Sequence, residues 1–144
     1  MRTIFRHLLA LAVVLAAVAT PRAVFGQAFK VIVNSGNATE ELSADQASKI
    51  FLKQAKFPSG AAATPVDQPK SAATRGEFTK TVHGKTVAAI ESYWQQQIFS
   101  GKDVPPAAKP TDADVVAFVK ATPGAIGYVS ASADVGGVKV VAIK

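Results

Sequence analysis

The chain has 144 residues, with 16 Lys+Arg against 10 Asp+Glu, a formal net charge of +6 and no cysteine. The missing cysteines exclude disulfides and thiolate metal ligands, and His83 is the only histidine beyond residue 26, which excludes a multi-histidine zinc site. No Lys/Arg run and no alternation of basic and aromatic residues occurs, which argues against a nucleic-acid partner.

Residues 1–26 read as a secretory signal peptide. Arg2, Arg6 and His7 precede "LLALAVVLAAVA", an apolar run of 12 residues that is too short to span a bilayer as a helix. Small residues suited to cleavage occur in "AVA" (17–19), "VFG" (24–26) and "GQA" (26–28), placing the mature start between Thr20 and Phe29. An uncleaved membrane anchor is the other reading. With Arg2, Arg6 and Arg22 set aside, 13 cations face 10 carboxylates and the net charge falls to +3. Residues 27–144 are enough for one domain with one core.

"FKVIVN", 29–34, is a β-branched run closed by the turn cluster "SGN" and predicts a buried strand. In "LSADQASKIF", Ser43 and Gln46 have the spacing of a capping box, and Ala47, Ile50 and Phe51 share one helical face. "FPSG" at 57–60 is a turn. "AAATPVDQP" predicts a short strand, which Pro65 confines to a sheet edge or to the strand's own start.

"KSAATRGEF", 70–78, opens the next helix, with Phe78 and Val82 on one face and Gly84 as its left-handed C-cap. "TVAAIESYWQQQIF" repeats Val87, Ile90, Trp94 and Ile98 at helical spacing. "SGKDVPPAAKP" is a loop. Thr111 then caps a helix with Asp112 and Asp114 in its first turn and Lys120 in its last, and with Val115, Phe118 and Val119 facing inward. Strands are predicted over 125–130 ("AIGYVS") and 138–143 ("VKVVAI"). Helices between apolar strands predict an α/β sandwich with a mixed sheet flanked by helices.

The segments "VIVNSGNATEELSADQASKIFLKQ", "PVDQP", "RGEF", "YWQQQIFSGKDVPP" and "VVAFVKATPGAIGYVS" occur in this order. Together they resemble the phosphate ABC transporter substrate-binding (PBP-like) family in a short, single-lobe form. The resemblance implies a single-lobe periplasmic-binding-protein-like fold, a periplasmic location, no enzymatic activity and no cofactor. It implies inorganic phosphate or a similar oxyanion as ligand, and an ABC-transporter membrane component or another envelope protein as partner. The family's Ser-Gly-Thr anion loop aligns on Thr74, Arg75 and Phe78, with Ala72 and Ala73 standing in place of Ser and Gly. One hydroxyl donor is therefore missing, so the expectation is weak or altered oxyanion binding.

The residues themselves leave two readings. A helix N-terminus offers free N–H donors and partial positive charge to an anion. Arg75, the only arginine beyond residue 26, has the fork suited to bidentate oxyanions. The candidate ligand set is Ser35, Asp67, Gln68, Ser71, Thr74 and Arg75. In the other reading Thr74 and Glu77 form a capping box, a carboxylate such as Asp67 pairs with Arg75, and no ligand is needed. His83 reads as a helix C-terminal group, Asp67-Gln68 as a structural turn before a ligand group, and Asp112 and Asp114 as capping charges rather than a metal pair. No Ser-His-Asp motif or phosphate loop of Walker spacing is present.

Overall fold

A computed structural model describes residues 27–144. The expected signal peptide, and its cleavage position, fall largely or wholly outside these residues. The elements are β1 (Phe29–Asn34), β2 (Glu41–Leu42), α1 (Ala44–Phe51), β3 (Thr64–Asp67), α2 (Ala73–Phe78), α3 (Val87–Phe99), β4 (Ala107–Ala108), α4 (Asp112–Ala121), β5 (Ala125–Ser130) and β6 (Val138–Ile143). They form one six-stranded mixed sheet in the order β2-β6-β1-β5-β3-β4. β1 runs antiparallel to both β5 and β6, whereas β3 runs parallel to β5. This is the expected α/β sandwich.

The two faces of the sheet follow from the twofold alternation of the strands. Phe29, Val31 and Val33 of β1, Ile126 and Tyr128 of β5, and Val141 of β6 bury one face against Ala47, Ile50 and Phe51 of α1 and Phe78 of α2. Ile32, Val66, Ala125 and Val129 bury the other face against Val115 and Val119 of α4. Gly127 lets α4 lie close on that face. A Cβ there would stand 2.7 Å from Val66 Cγ1 and 2.8 Å from Val115 Cγ1.

Local signals behave as their chemistry dictates. Ser43 and Gln46 close the capping box of α1, and Thr111 caps α4 by accepting from Asp114 N–H. Pro65 lies in β3 beyond the reach of β4, which pairs only with Val66 and Asp67. Its missing donor therefore costs the sheet no ladder bond on that side.

Four expectations are corrected. "SGKDVPPAAKP" is not loop throughout, because Ala107–Ala108 form β4 beside Val66 and Asp67. Thr74 and Glu77 do not form a capping box: α2 starts at Ala73 with Ala72 as N-cap, and no side chain caps it. The helix does not run on as α-helix to Gly84, because Thr79–His83 form a π-helical turn before Gly84 ends it at φ 62°. Ile98, placed by periodicity on the buried stripe of α3, is 52% exposed; that helix buries only Ile90 and Trp94.

Candidate functional site

The carboxyl end of β3 and the start of α2 bring Asp67, Gln68 and Arg75 together. The Arg75 side chain folds back beneath the turn Pro69–Ala72, which the Ala72 N–H to Pro69 carbonyl bond closes at 2.9 Å. Arg75 is buried, at 7% exposure. A buried guanidinium needs partners for its donors, and it has three. Nη1 donates to the Gln68 carbonyl at 3.0 Å and Nη2 to Glu91 Oε1 at 2.6 Å. Nε lies 3.5 Å from Asp67 Oδ1.

Asp67 is in turn held by Tyr128, whose hydroxyl donates to Asp67 Oδ1. The Gln68 N–H donates to the same Oδ1 at 2.8 Å and approaches Tyr128 Oη at 3.3 Å. Burial, and then the charge of Asp67, push the Tyr128 hydroxyl far above its ordinary pKa, so it stays a neutral donor. The Tyr128 ring stacks on Phe78 with centroids 3.9 Å apart, fixing where the hydroxyl points.

A second carboxylate continues the network. Asp112, in the first turn of α4, accepts from Gln68 Nε2 at 3.0 Å, Ser130 Oγ at 2.6 Å and Ser130 N–H at 3.2 Å. Gln68 Nε2 also donates to the Tyr128 carbonyl at 2.9 Å. Asp112 thus ties α4 to β5 as well as complementing its helix dipole.

Beside Arg75 lies an open pocket of about 300 Å³, lined by Asp67, Lys70, Arg75, Glu91 and prolines 69, 105 and 106, with Ala108 at its edge. Its formal charges balance: Arg75 and Lys70 against Asp67 and Glu91.

Of the six candidate ligand residues, Asp67, Gln68 and Arg75 meet directly. Ser71 is exposed in the turn and Thr74 is half-buried in the first turn of α2; neither lines the pocket. Ser35 is not brought to this place at all. It follows β1, and β1 is antiparallel to β5, so Ser35 lies at the opposite end of the sheet from Asp67. α4 spans the gap: neighbouring Asn34 donates from Nδ2 to the carbonyls of Val119 and Lys120 at one end, while Asp112 serves the site at the other. Ten residues of helix separate those ends by about 15 Å.

Glu91, Tyr128 and Asp112 do more here than sequence reasoning assigned them. Glu91 had a signal, being the only charged residue in "TVAAIESYWQQQIF". Asp112 had only its place at the start of α4, and Tyr128, inside β5, had none.

His83 is not held by helix carbonyls. Its Nδ1 is 2.8 Å from Ser48 Oγ on α1, and its ring stands edge-on to Phe78. Burial, and then the nearby charges of Lys85 and Arg75, lower its pKa to about 4. Such an imidazole is a weak base at neutral pH, and its ring packs against Phe78 rather than a carboxylate, which is poor equipment for activating Ser48. Among the described residues no group of three or more acidic, histidine or cysteine side chains could hold a metal ion, and no helix is long and apolar enough to cross a membrane.

Solved structures share this fold. A Clostridium perfringens protein, described as a phosphate ABC transporter substrate-binding protein and solved with bound phosphate, aligns with a TM-score of 0.60 at 17% identity over 81% of this chain and 44% of its own. An ABC-type phosphate transport receptor from Vibrio cholerae aligns with a TM-score of 0.58 at 19% identity, over 81% of this chain and 47% of its own. PstS from Borrelia burgdorferi gives 0.57 at 12% identity, with the same shares. This chain therefore has a fold found in proteins of the phosphate-binding class, and it spans less than half the length of each. No protein-family model matches the sequence, and no curated protein matches it.

Proposed function

We propose that this protein is an exported solute-binding protein of the phosphate-binding class, one that takes an oxyanion weakly at Arg75 in competition with its own Glu91. The observation behind this is a buried guanidinium, beside Lys70, at an open pocket where its partner carboxylate, Glu91, is itself 43% exposed. Glu91 occupies the guanidinium edge that a phosphate or sulfate oxygen would take. Swinging Glu91 toward water leaves Arg75 and Lys70 against Asp67 alone, a net positive pocket. The internal rival lowers the apparent affinity by the fraction of time it holds Arg75. Export is supported by the signal-like residues 1–26, and binding without turnover by the likeness to phosphate-binding proteins. Uptake through, or sensing at, an ABC-transporter membrane component is the role this reading carries.

Calorimetric titration with phosphate and with sulfate tests it. The wild-type protein gives weak heats at millimolar anion, and Glu91→Ala tightens binding by about tenfold, or ~1.4 kcal/mol. If neither protein responds, oxyanion binding at Arg75 is ruled out.

A second reading is a single-lobe envelope interaction module that no longer needs a ligand. It is favoured by the complete internal pairing of the site: no buried side-chain nitrogen or oxygen among the described residues lacks a hydrogen-bond partner. It predicts silence in both titrations together with specific recovery of an envelope protein.

A further inference from the structure

α3 is held to the body of the protein differently from the other helices. α1 sets Ala47, Ile50 and Phe51, α2 sets Phe78, and α4 sets Val115 and Val119 into the two apolar clusters that cover the sheet. α3 has 13 residues, buries Ile90 and Trp94, and places neither in those clusters. Ile98 and Phe99 at its end are exposed. A surface helix ordinarily turns three to four apolar side chains per two turns toward a core, so α3 is weakly anchored for its length. Polar contacts supply the rest of its attachment. Glu91 accepts from Arg75 at 2.6 Å and the Tyr93 hydroxyl from Gln54 Nε2 at 3.1 Å, and Asp103, just past the helix, lies 3.6 Å from Lys53 Nζ.

We propose that α3 is a latch over the anion pocket, hinged at Gly84 and Gly101, and that its opening carries Glu91 away from Arg75. Both glycines stand in the left-handed region, at φ 62° and 67°, and a Cβ on either would meet nothing within 4 Å. They are uncrowded pivots able to absorb a change in backbone direction. Just before Gly84, Val82 is buried in the core and His83 is bonded to Ser48, so the fixed part of the chain ends there. The pocket lining divides at the same place: Asp67, Lys70 and Arg75 belong to the fixed body, Glu91 to the latch. Rotation of the Glu91 side chain alone leaves α3 beside the guanidinium, whereas movement of the helix clears that side for a tetrahedral oxyanion. Opening is cheap because the segment takes few buried apolar side chains with it. The gating role rests on the oxyanion reading above; the loose attachment of α3 does not.

Native-state hydrogen exchange, read by mass spectrometry on the purified protein, measures the opening of each element separately. The amides of α3 are expected to exchange well ahead of those of β1 and β5. Glu91→Gln keeps the shape of the side chain but removes its charge, and should speed α3 about fivefold while leaving β1 and β5 unchanged. Tyr93→Phe, which deletes the bond to Gln54, should speed α3 as well. Millimolar phosphate should also speed α3 in the wild-type protein, because an anion on Arg75 takes the place of Glu91. An α3 as protected as β1 and β5 overturns the latch. So does a Glu91→Gln protein whose exchange rises equally in every element, since that is a loss of global stability. An α3 that opens early and responds to Glu91→Gln, yet ignores phosphate, upholds the latch and removes the oxyanion instead.

Discussion

Glu91 and Arg75 meet at 2.6 Å across sixteen residues of chain, and this contact links α3 to the carboxyl end of β3 and the start of α2. The guanidinium is buried whereas the carboxylate is half in water. The two partners therefore differ in what their loss costs.

Arg75→Met keeps the length of the side chain but strands Asp67, Glu91 and the Gln68 carbonyl. Asp67, at 16% side-chain exposure, is the costly one, since only Tyr128 and the Gln68 N–H then serve it. Removing one partner of a buried pair costs about 3–5 kcal/mol. The partial exposure here brings the expected loss down to or below the bottom of that range, ~2–3 kcal/mol, read as a drop in urea midpoint at constant slope. Glu91→Ala should cost less, about 1 kcal/mol, because Glu91 can be replaced by water.

Tyr128→Phe isolates the hydroxyl. The stack on Phe78 survives, but Asp67 loses its donor inside the sheet's edge. Leaving a buried carboxylate oxygen under-satisfied should cost about 1–3 kcal/mol. Double-mutant cycles with Asp67→Asn check the assignment: the coupling between the two positions should account for most of the loss.

Gly127→Ala tests the close approach of α4 to the sheet. The added methyl meets Val66 and Val115 at distances that real Cβ atoms do not tolerate, so α4 must shift. Overpacking of this kind costs about 1–3 kcal/mol. Adding Val115→Ala should return part of the stability, and a Gly127→Ala protein as stable as wild type would contradict the packing.

His83 predicts a pH dependence. Its pKa in the folded protein is about 4, against an ordinary value of 6.5 that applies once the chain unfolds. Between these values the unfolded chain binds the proton and the folded protein does not, so protonation favours unfolding. The contribution is complete above 6.5, is lost as the pH falls through that window, and changes no further below about 4. His83→Gln removes it. The stability difference between wild type and His83→Gln should therefore narrow or reverse on acidification through this window. A difference that stays constant with pH would exclude the shifted imidazole.

The helices and the longer strands were legible because their causes are local, whereas the two-residue strands β2 and β4 exist only through their pairing with β6 and β3. The β-branched runs of β1 and β6, the Ser43–Gln46 box of α1 and the Thr111 cap of α4 are all written within a few residues of one another. The misreadings share a different cause. Thr74 and Glu77 have capping-box spacing, but the backbone enters α2 at Ala72, where the buried Arg75 fixes the path. Ile98 has the right period, but α3 buries only Ile90 and Trp94 and leaves its last turn exposed, so periodicity alone could not assign its partner. Ser35 sits in a suitable turn, yet the antiparallel direction of β1 carries it to the far end of α4.

By itself the sequence determined the four helices and the four longer strands, though not the two-residue strands β2 and β4, and which single arginine would need a negative partner, since these follow from side-chain chemistry over short spans. Only the tertiary structure decided that the partner is Glu91 with Asp67, that Tyr128 and Asp112 complete the arrangement, and that Phe99 is left facing outward. Strand order and direction set those distances, and they depend on contacts between residues far apart in the chain that no local pattern encodes.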